Sequence, residues 1–343
     1  MDFFWRLNIR TYHDRLRIKT TISGKNIHDT NFYAVFVFFS KYEIPIFTRT
    51  WLEALSRNRV NLVIVVNSNS SDSVLNELTS LSHTVIVRYN IGRDFGAYKD
   101  ALIYVKKYAD DIDTIILGND SVYYCGKDLD KLIRNFIECP DLCGITDNRD
   151  TKYHIQSYLL SFGKNLLRQD IFWQFWKSYL PIGTRHWAIM KGEIAFSQKM
   201  IQAGVKIKVL FKSVELSRFL ENETDANIEI LLEYLPLNVR YLFKNENTGQ
   251  IFCDRSAIIE RILRVIDDAH TTHRGQFIFL KYLDFPILKR DIFYRKLFDI
   301  ETIKKILLEN NIATTDEILH DLVKRGTIDK LNWLKRKRIK LGV

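Results

Sequence analysis

Four short apolar segments constrain the fold of this chain more than any other feature. They are residues 33–39, 62–66, 84–88 and 114–117. Each is continuous and rich in β-branched or aromatic side chains, which is typical of strands buried on both faces. Helical periodicity fills the intervals between them, at residues 46–58, 74–81 and 98–105. This alternation predicts βαβ units and an α/β fold, with a mostly parallel sheet and helices on both faces.

The rest of the chain predicts further elements and a division into regions. Residues 154–162 read as a strand and residues 172–179 as an aromatic helix, and Gly204 suits the end of a helix at 194–203. Helical patterns dominate from about residue 216. We therefore predict three regions, which are a basic N-terminal arm, a central α/β domain, and a mainly helical C-terminal region with a basic tail: residues 1–30, 31–220 and 221–343.

The composition is that of an ordinary globular protein with an excess of basic residues. The chain has 343 residues, 46% of them hydrophobic, and a formal net charge of +10. Such a charge suits a nucleic acid, an anionic membrane or an acidic substrate. Basic and apolar residues mix near both ends, at residues 6–19 and 333–341. These ends either contact the anionic face of a membrane or form solvated helices, and no recognised nucleic-acid module is present.

The cysteine spacing and the length of the apolar runs indicate the cellular compartment of the protein. Cys125, Cys139, Cys143 and Cys253 form no CxxC pair, so we expect free thiols rather than a zinc site. The N-terminus lacks a long apolar stretch typical of a signal peptide. The longest apolar run, residues 32–39, is too short to span a bilayer. We expect a cytoplasmic protein, with peripheral contact to the inner membrane as an option.

Polar residues follow three of the predicted strands, at residues 67–72, 90–98 and 118–121. Ligands of such sheets bind beyond the carboxyl ends of the strands, so these clusters should converge on one crevice. Asp120 is placed to meet a metal or a phosphate, or else caps a turn. Arg93 and Asp94 carry charge at the start of a helix, where phosphates bind, although Asp94 could equally cap that helix.

The order of these segments resembles the rhamnan-synthesis protein F family of glycosyltransferases. The resemblance begins with three segments near the ends of the predicted strands, at residues 65–72, 90–98 and 116–122. Residues 144–162 and 272–291 continue it, so it spans about residues 33–295. It implies that residues 31–220 form a GT-A-like nucleotide-sugar-binding and catalytic domain. It also implies transfer, of the inverting type, of a sugar from a nucleoside-diphosphate donor such as dTDP-rhamnose. The implied acceptor is a glycan or lipid-linked glycan of capsule, O-antigen or cell-wall polysaccharide. The alternatives are a non-catalytic family member that scaffolds polysaccharide synthesis and a basic nucleic-acid-binding protein.

The resemblance also implies roles for individual residues. Asp120 looks like the ligand of a divalent cation, Mg²⁺ or Mn²⁺, although one carboxylate stands where many GT-A enzymes have two. The residues expected to bind the donor are Asn67, Asn90, Gly92, Arg93, Asp94, Tyr98, Asn119, Asp120 and Ser121.

Acceptor and catalytic residues are predicted further along the chain. His154, Gln156 and Ser157 are expected to line the cleft as substrate-binding groups. Glu193 resembles the acidic residue that takes the proton of the acceptor hydroxyl, with Asp147 as the second candidate. Glu193 could instead be a first-turn carboxylate favoured by the helix dipole. His273 is interpreted as structural, and the aromatic residues at 172–176 as core more readily than as a sugar-stacking surface.

Overall fold

The fold is known from a computed structural model, which describes residues 9–108, 111–126, 128–243, 254–268 and 270–328. The basic tail at residues 333–341, Arg6 and Cys253 lie outside the described residues. In the described part of the chain no helix combines the length and apolar character needed to cross a bilayer.

Twelve strands form within the described residues, and those of the parallel core are rich in Val, Ile and Phe, whose branched or aromatic side chains suit a pleated surface. They are β1 Ile18–Ser23, β2 Phe32–Phe38, β3 Asn61–Val66, β4 Thr84–Arg88, β5 Thr114–Asn119, β6 Val122–Tyr124, β7 Leu142–Gly144, β8 Asp147–Asn148, β9 His154–Ile155, β10 Leu159–Gly163, β11 Ile207–Val209 and β12 Ile287–Lys289.

The α-helices follow in chain order, several with side-chain caps such as Ser71, which accepts the Val74 N–H. They are α1 Ile9–Tyr12, α2 Ile46–Arg57, α3 Asp72–Leu81, α4 Arg93–Tyr108, α5 Leu129–Ile137, α6 Lys164–Leu167, α7 Asp170–Ser178, α8 Arg185–Trp187, α9 Ala195–Gln202, α10 Ser217–Leu220, α11 Asp225–Leu231, α12 Arg255–Asp267, α13 Thr271–Leu283, α14 Ile300–Glu309 and α15 Thr315–Arg325. A π-helical segment, Ala188–Ile194, joins α8 to α9.

Eight strands form one sheet in the order β1-β4-β3-β2-β5-β10-β7-β11. Strands β4, β3, β2 and β5 are parallel to one another. Strand β1 pairs antiparallel at one edge, and β10 runs antiparallel to both β5 and β7. The predicted α/β class is therefore confirmed. After β2 the chain adds β3 and β4 on one side of β2, and it then crosses to place β5 on the other side. The carboxyl ends of β2 and β5 therefore flank a topological switch point.

The two faces of the sheet are covered by different parts of the chain. Val35 and Val37 share a core with residues of α4, α7 and α9. Phe36 and Phe38 face the other side and share a core with α2, α5 and the helical C-terminal region. The aromatic residues of α7 are buried, which agrees with core packing.

Three local expectations change in the structure. The segment predicted as one strand at 154–162 is two strands, with a break at residues 156–158. The helix predicted from residue 194 continues a helical stretch that starts at Arg185, so Glu193 lies in its middle and not in a first turn. Residues 18–23 of the predicted basic arm form the edge strand β1.

Candidate active site

A cavity of about 580 Å³ opens beyond the carboxyl end of β5. Its walls come from the start of α4, the turn after β5, the break between β9 and β10, the π-helical segment and the chain around β12. The lining side chains include five basic groups and three carboxylates: Arg93, Arg185, Lys289, Arg290, Arg325, Asp94, Glu193 and Asp291. A volume of this size and a polar lining suit a nucleotide-sized ligand.

Hydrogen bonds link several predicted site residues across four segments of the chain. The Asn119 amide donates to Asp94 Oδ2 at 3.2 Å and to the Tyr98 hydroxyl at 3.1 Å. That hydroxyl donates to the Ser157 carbonyl at 3.2 Å. The Ser157 N–H and hydroxyl donate to Glu193 Oε2 at 2.7 and 2.5 Å. The predicted convergence of the strand-end clusters therefore occurs for these residues.

Glu193 is held as a carboxylate by its neighbours. Beyond the two bonds from Ser157, Nε2 of the buried His154 lies 3.2 Å from Glu193 Oε1. Burial favours the neutral acid, but the hydrogen bonds from His154 and Ser157 outweigh it and lower the pKa of Glu193. Oε2 thus accepts from Ser157, and Oε1 accepts from His154 when that imidazole is protonated, because its Nδ1 faces the Lys152 carbonyl.

Asp94 lines the same cavity in a different environment. Burial and then the nearby charge of Asp120 raise the pKa of Asp94 to about 6. Asn119 donates to Asp94 Oδ2, and no hydrogen bond of the described residues engages Oδ1. The Asp94 carboxylate accepts from a side chain across the cavity instead of capping α4 in the described structure.

Asp120 lies at the switch point and beside the cavity. Its Oδ2 accepts the Phe39 N–H at 2.9 Å, and its carbonyl accepts from Arg290 at 2.7 Å. Burial raises the pKa of Asp120. In the described residues no three His, Cys, Asp or Glu side chains are grouped to hold a metal. Asp120 therefore fits Mg²⁺ or Mn²⁺ only in the mode where substrate phosphates supply further ligands.

Tyr98 and His154 do not line the cavity themselves and instead contact its lining residues Asn119 and Glu193.

Other predicted site residues also lie outside the cavity wall. Asn67 is buried, and its amide oxygen accepts from Arg88 at 2.7 Å. Asn90 is exposed, and Gly92, with φ of +78°, is buried against Pro181. Asp147 lies on β8, where burial raises its pKa. Their predicted roles in binding or catalysis stay predictions.

Gln156 lines the cavity in a fixed orientation. Its amide oxygen accepts from the hydroxyls of Thr146 and Thr272, at 2.8 and 2.5 Å. The break in the predicted strand at residues 156–158 is what brings this side chain to the cavity wall.

The C-terminal region supplies a wall that sequence reasoning missed. Strand β12 pairs antiparallel with β6, directly after the Asp120 turn, and carries Lys289 into the cavity with Arg290 and Asp291 beyond it. His273, interpreted as structural, also lines the cavity and contacts Asp291 at 2.8 Å. Residues 285–291 belong to the family resemblance, but pairing across more than 160 residues has no local sequence signal.

The fold and the cavity define a doubly wound α/β protein with a charged ligand site at the carboxyl ends of its parallel strands. Residues 62–323, most of the chain, match the family Rhamnan synthesis protein F, and the protein belongs to that family. The resemblance seen in the sequence is thereby confirmed.

Relatives outside this match are distant. The chain is 28% identical over 188 residues to the uncharacterized protein y4gN of Sinorhizobium fredii, a match covering 53% of this chain and 49% of that protein. It is 34% identical over 147 residues to the virulence protein VirA of Vibrio anguillarum, covering 40% of this chain and 44% of that protein. The match therefore spans about half the length of each of these relatives.

Among solved structures, the chain has a weak overlap with one synthase. The chain overlaps 4-diphosphocytidyl-2C-methyl-D-erythritol synthase from Anaerococcus prevotii with a TM-score of 0.33 and 14% identity, over 52% of this chain and 89% of that chain. A similarity this low carries no functional argument.

Proposed function

We propose that this protein is a glycosyltransferase that moves a sugar, rhamnose or another deoxyhexose, from a nucleoside diphosphate to a glycan acceptor. One observation carries the proposal. The cavity at the switch point combines basic groups suited to a diphosphate with carboxylates suited to proton transfer. Membership of a family named for rhamnan synthesis supports a sugar as the transferred group.

In such a transfer the acceptor oxygen forms a bond to the anomeric carbon of the donor sugar. The bond from that carbon to the phosphate oxygen breaks, and its electron pair leaves with the diphosphate. Basic side chains at the leaving oxygen stabilise the charge that develops there. A divalent cation, when bound, would supply the same charge neutralisation beside Asp120. The proton of the acceptor hydroxyl passes to a carboxylate of the cavity.

Asp94 suits the role of that base better than Glu193. Two hydrogen bonds from Ser157 and the contact with His154 engage both oxygens of the Glu193 carboxylate and weaken it as a proton acceptor. Asp94 offers Oδ1 to the cavity, and a pKa of about 6 leaves it mostly ionised yet basic at neutral pH. We assign Asp94 as the base and Glu193 as a positioning residue that holds the segment around Ser157.

Release of nucleoside diphosphate from a panel of sugar nucleotides, with glycan acceptors present, tests the proposal. The reactions are run with Mg²⁺, with Mn²⁺ and with EDTA. We expect turnover with one donor, and loss of turnover in Asp120→Ala while the far-UV circular dichroism stays unchanged. Asp130→Ala is the matched control, because Asp130 lies away from the cavity, where its carboxylate pairs with Arg57 and accepts from the Asn58 amide. Donor binding without turnover across all acceptors would instead favour a scaffolding role, and full turnover in Asp120→Ala would remove Asp120 from the site.

A further inference from the structure

Two basic side chains, Lys289 and Arg185, line the cavity beside the carboxylates of Asp94, Glu193 and Asp291. Lys289 is the last residue of β12, and Arg185 is the first residue of α8. Neither forms an ion pair within the described residues, whereas Arg290 pairs with Asp321 and Arg295 with Asp291. The Lys289 ammonium instead lies 3.8 Å from the centre of the Tyr158 ring.

Opposing effects act on this pair inside the cavity. Burial, which disfavours the charged form, lowers the pKa of Lys289 to about 8, although the cavity carboxylates, Asp291 and Glu193 foremost, attract its charge. Burial and the charge of Arg295 lower the pKa of Arg185 against the attraction of the same two carboxylates. Neither basic group forms an ion pair with a carboxylate in the described structure, so both keep donors for an anionic ligand.

The position of Lys289 relative to the switch point is fixed by the backbone next to it. The Arg290 N–H donates to the Ser121 carbonyl at 3.3 Å, and the Arg290 guanidinium donates to the Asp120 carbonyl. Lys289 thereby belongs to the same cavity as Asn119, Ser121 and Asp94. An ammonium meets phosphate oxygens as a point charge, and a guanidinium can bind two of them at once.

We propose that Lys289 and Arg185 form a clamp for the diphosphate of the nucleotide donor. The inference rests on the proposed function and extends it, because it assigns the leaving group to the C-terminal region and to α8. The clamp binds a nucleoside diphosphate more tightly than a monophosphate. It holds the negative charge that the departing diphosphate gains, and it does so without requiring a divalent cation.

Isothermal titration calorimetry in EDTA, with dTDP, UDP, dTMP and inorganic pyrophosphate as probes, tests the clamp. Lys289→Met and Arg185→Gln remove one charge each at similar volume. Lys281→Met and Arg218→Gln are matched controls, because each native side chain stacks on an aromatic ring elsewhere on the surface and forms no ion pair in the described structure. We expect each clamp variant to lose roughly 10- to 100-fold in diphosphate affinity, the usual range for one charge-assisted hydrogen bond. The controls should match the wild type.

A second readout separates binding from folding. Lys289→Met keeps an apolar contact with the Tyr158 ring, and neither charge forms an ion pair in the described structure, so both variants should stay close to the wild-type Tm measured without ligand. If the wild type binds a nucleoside diphosphate and both variants bind it with the same affinity, the clamp is wrong and the proposed function still stands. A fall in ligand-free Tm in both variants would also overturn it, because the side chains would then serve the fold. If the wild type binds no nucleoside diphosphate even with Mg²⁺ or Mn²⁺, the proposed function itself fails.

Discussion

Asp94 and Glu193 line one cavity, yet their surroundings shift their pKa values in opposite directions. Burial and the charge of Asp120 raise the pKa of Asp94 to about 6. Donors on His154 and Ser157 outweigh burial and hold the pKa of Glu193 below its usual 4.5. Two carboxylates whose pKa values differ in this way are suited to different tasks, because only the more basic one accepts a proton readily near neutral pH.

This difference predicts the pH dependence of turnover. A general base acts only when ionised, so kcat/KM should fall as the pH drops through about 6, where Asp94 becomes protonated. Asp94→Asn should lower kcat by about 10²- to 10⁴-fold and abolish this acidic limb. Glu193→Gln should keep the fall in kcat/KM as the pH drops through about 6. Steady-state kinetics across the pH range check this, and an acidic limb that starts only below pH 4.5 would point back to Glu193.

The contact between His154 and Glu193 predicts a pH-dependent contribution to stability. Although burial opposes the charged form, the hydrogen bond and charge of Glu193 raise the pKa of His154. A group with a raised pKa contributes its full stabilisation below its unfolded pKa and loses it as the pH rises through the folded pKa. The difference in unfolding free energy between wild type and His154→Gln should therefore be largest at acidic pH and shrink above about pH 6.5. Urea unfolding at several pH values measures this difference, and a difference that grows with pH would contradict it.

At the scale of secondary-structure elements, a buried charge cluster ties β1, β4 and α4 together. Asp100 accepts from Arg17 at 3.0 Å and from Arg88 at 2.9 Å, and all three side chains are almost fully buried. Arg88 also donates to the Ile91 carbonyl at 2.7 Å, which shapes the turn that leads to Arg93 and Asp94. Arg17 therefore serves the fold, and neither lipid nor solvent reaches its side chain.

Removing the acidic member of this cluster should be strongly destabilising. Asp100→Asn leaves the buried Arg88 guanidinium without a counter-charge and leaves Arg17 only the half-exposed Asp14, so we expect a loss of roughly 3–5 kcal/mol in the free energy of unfolding. Asp130→Asn, at a partly exposed pair, should change it by about 1 kcal/mol or less. Denaturant titrations of both variants measure the two values. Similar values for both would show that the cluster does not hold these elements together.

Sequence patterns predicted the elements that are buried on both faces and missed those that depend on distant contacts. Strands β2 to β5 follow from continuous apolar runs, and the strand-end rule placed Asp94 and Asn119 in one site. Strand β1 has little apolar periodicity because most of it is exposed at the sheet edge. Lys289 and Arg185 reach the cavity through pairing and packing that no local spacing encodes.

At the scale of the whole molecule, the C-terminal region completes both the core and the cavity. Phe36 and Phe38 of β2 share one hydrophobic core with Phe277 of α13 and Leu322 of α15. A chain ending at residue 220 would keep α2 and α5 on that face, but it would expose the apolar core residues that α13 and α15 cover and would lose Lys289. We therefore expect the full chain to unfold in one cooperative calorimetric transition, and the shortened chain to show none. A nucleoside diphosphate should raise the Tm of the entire transition, since ligand binding stabilises whatever unfolds with its site. Two separate transitions, with only one shifted by the ligand, would instead define residues 221–343 as an independent lobe.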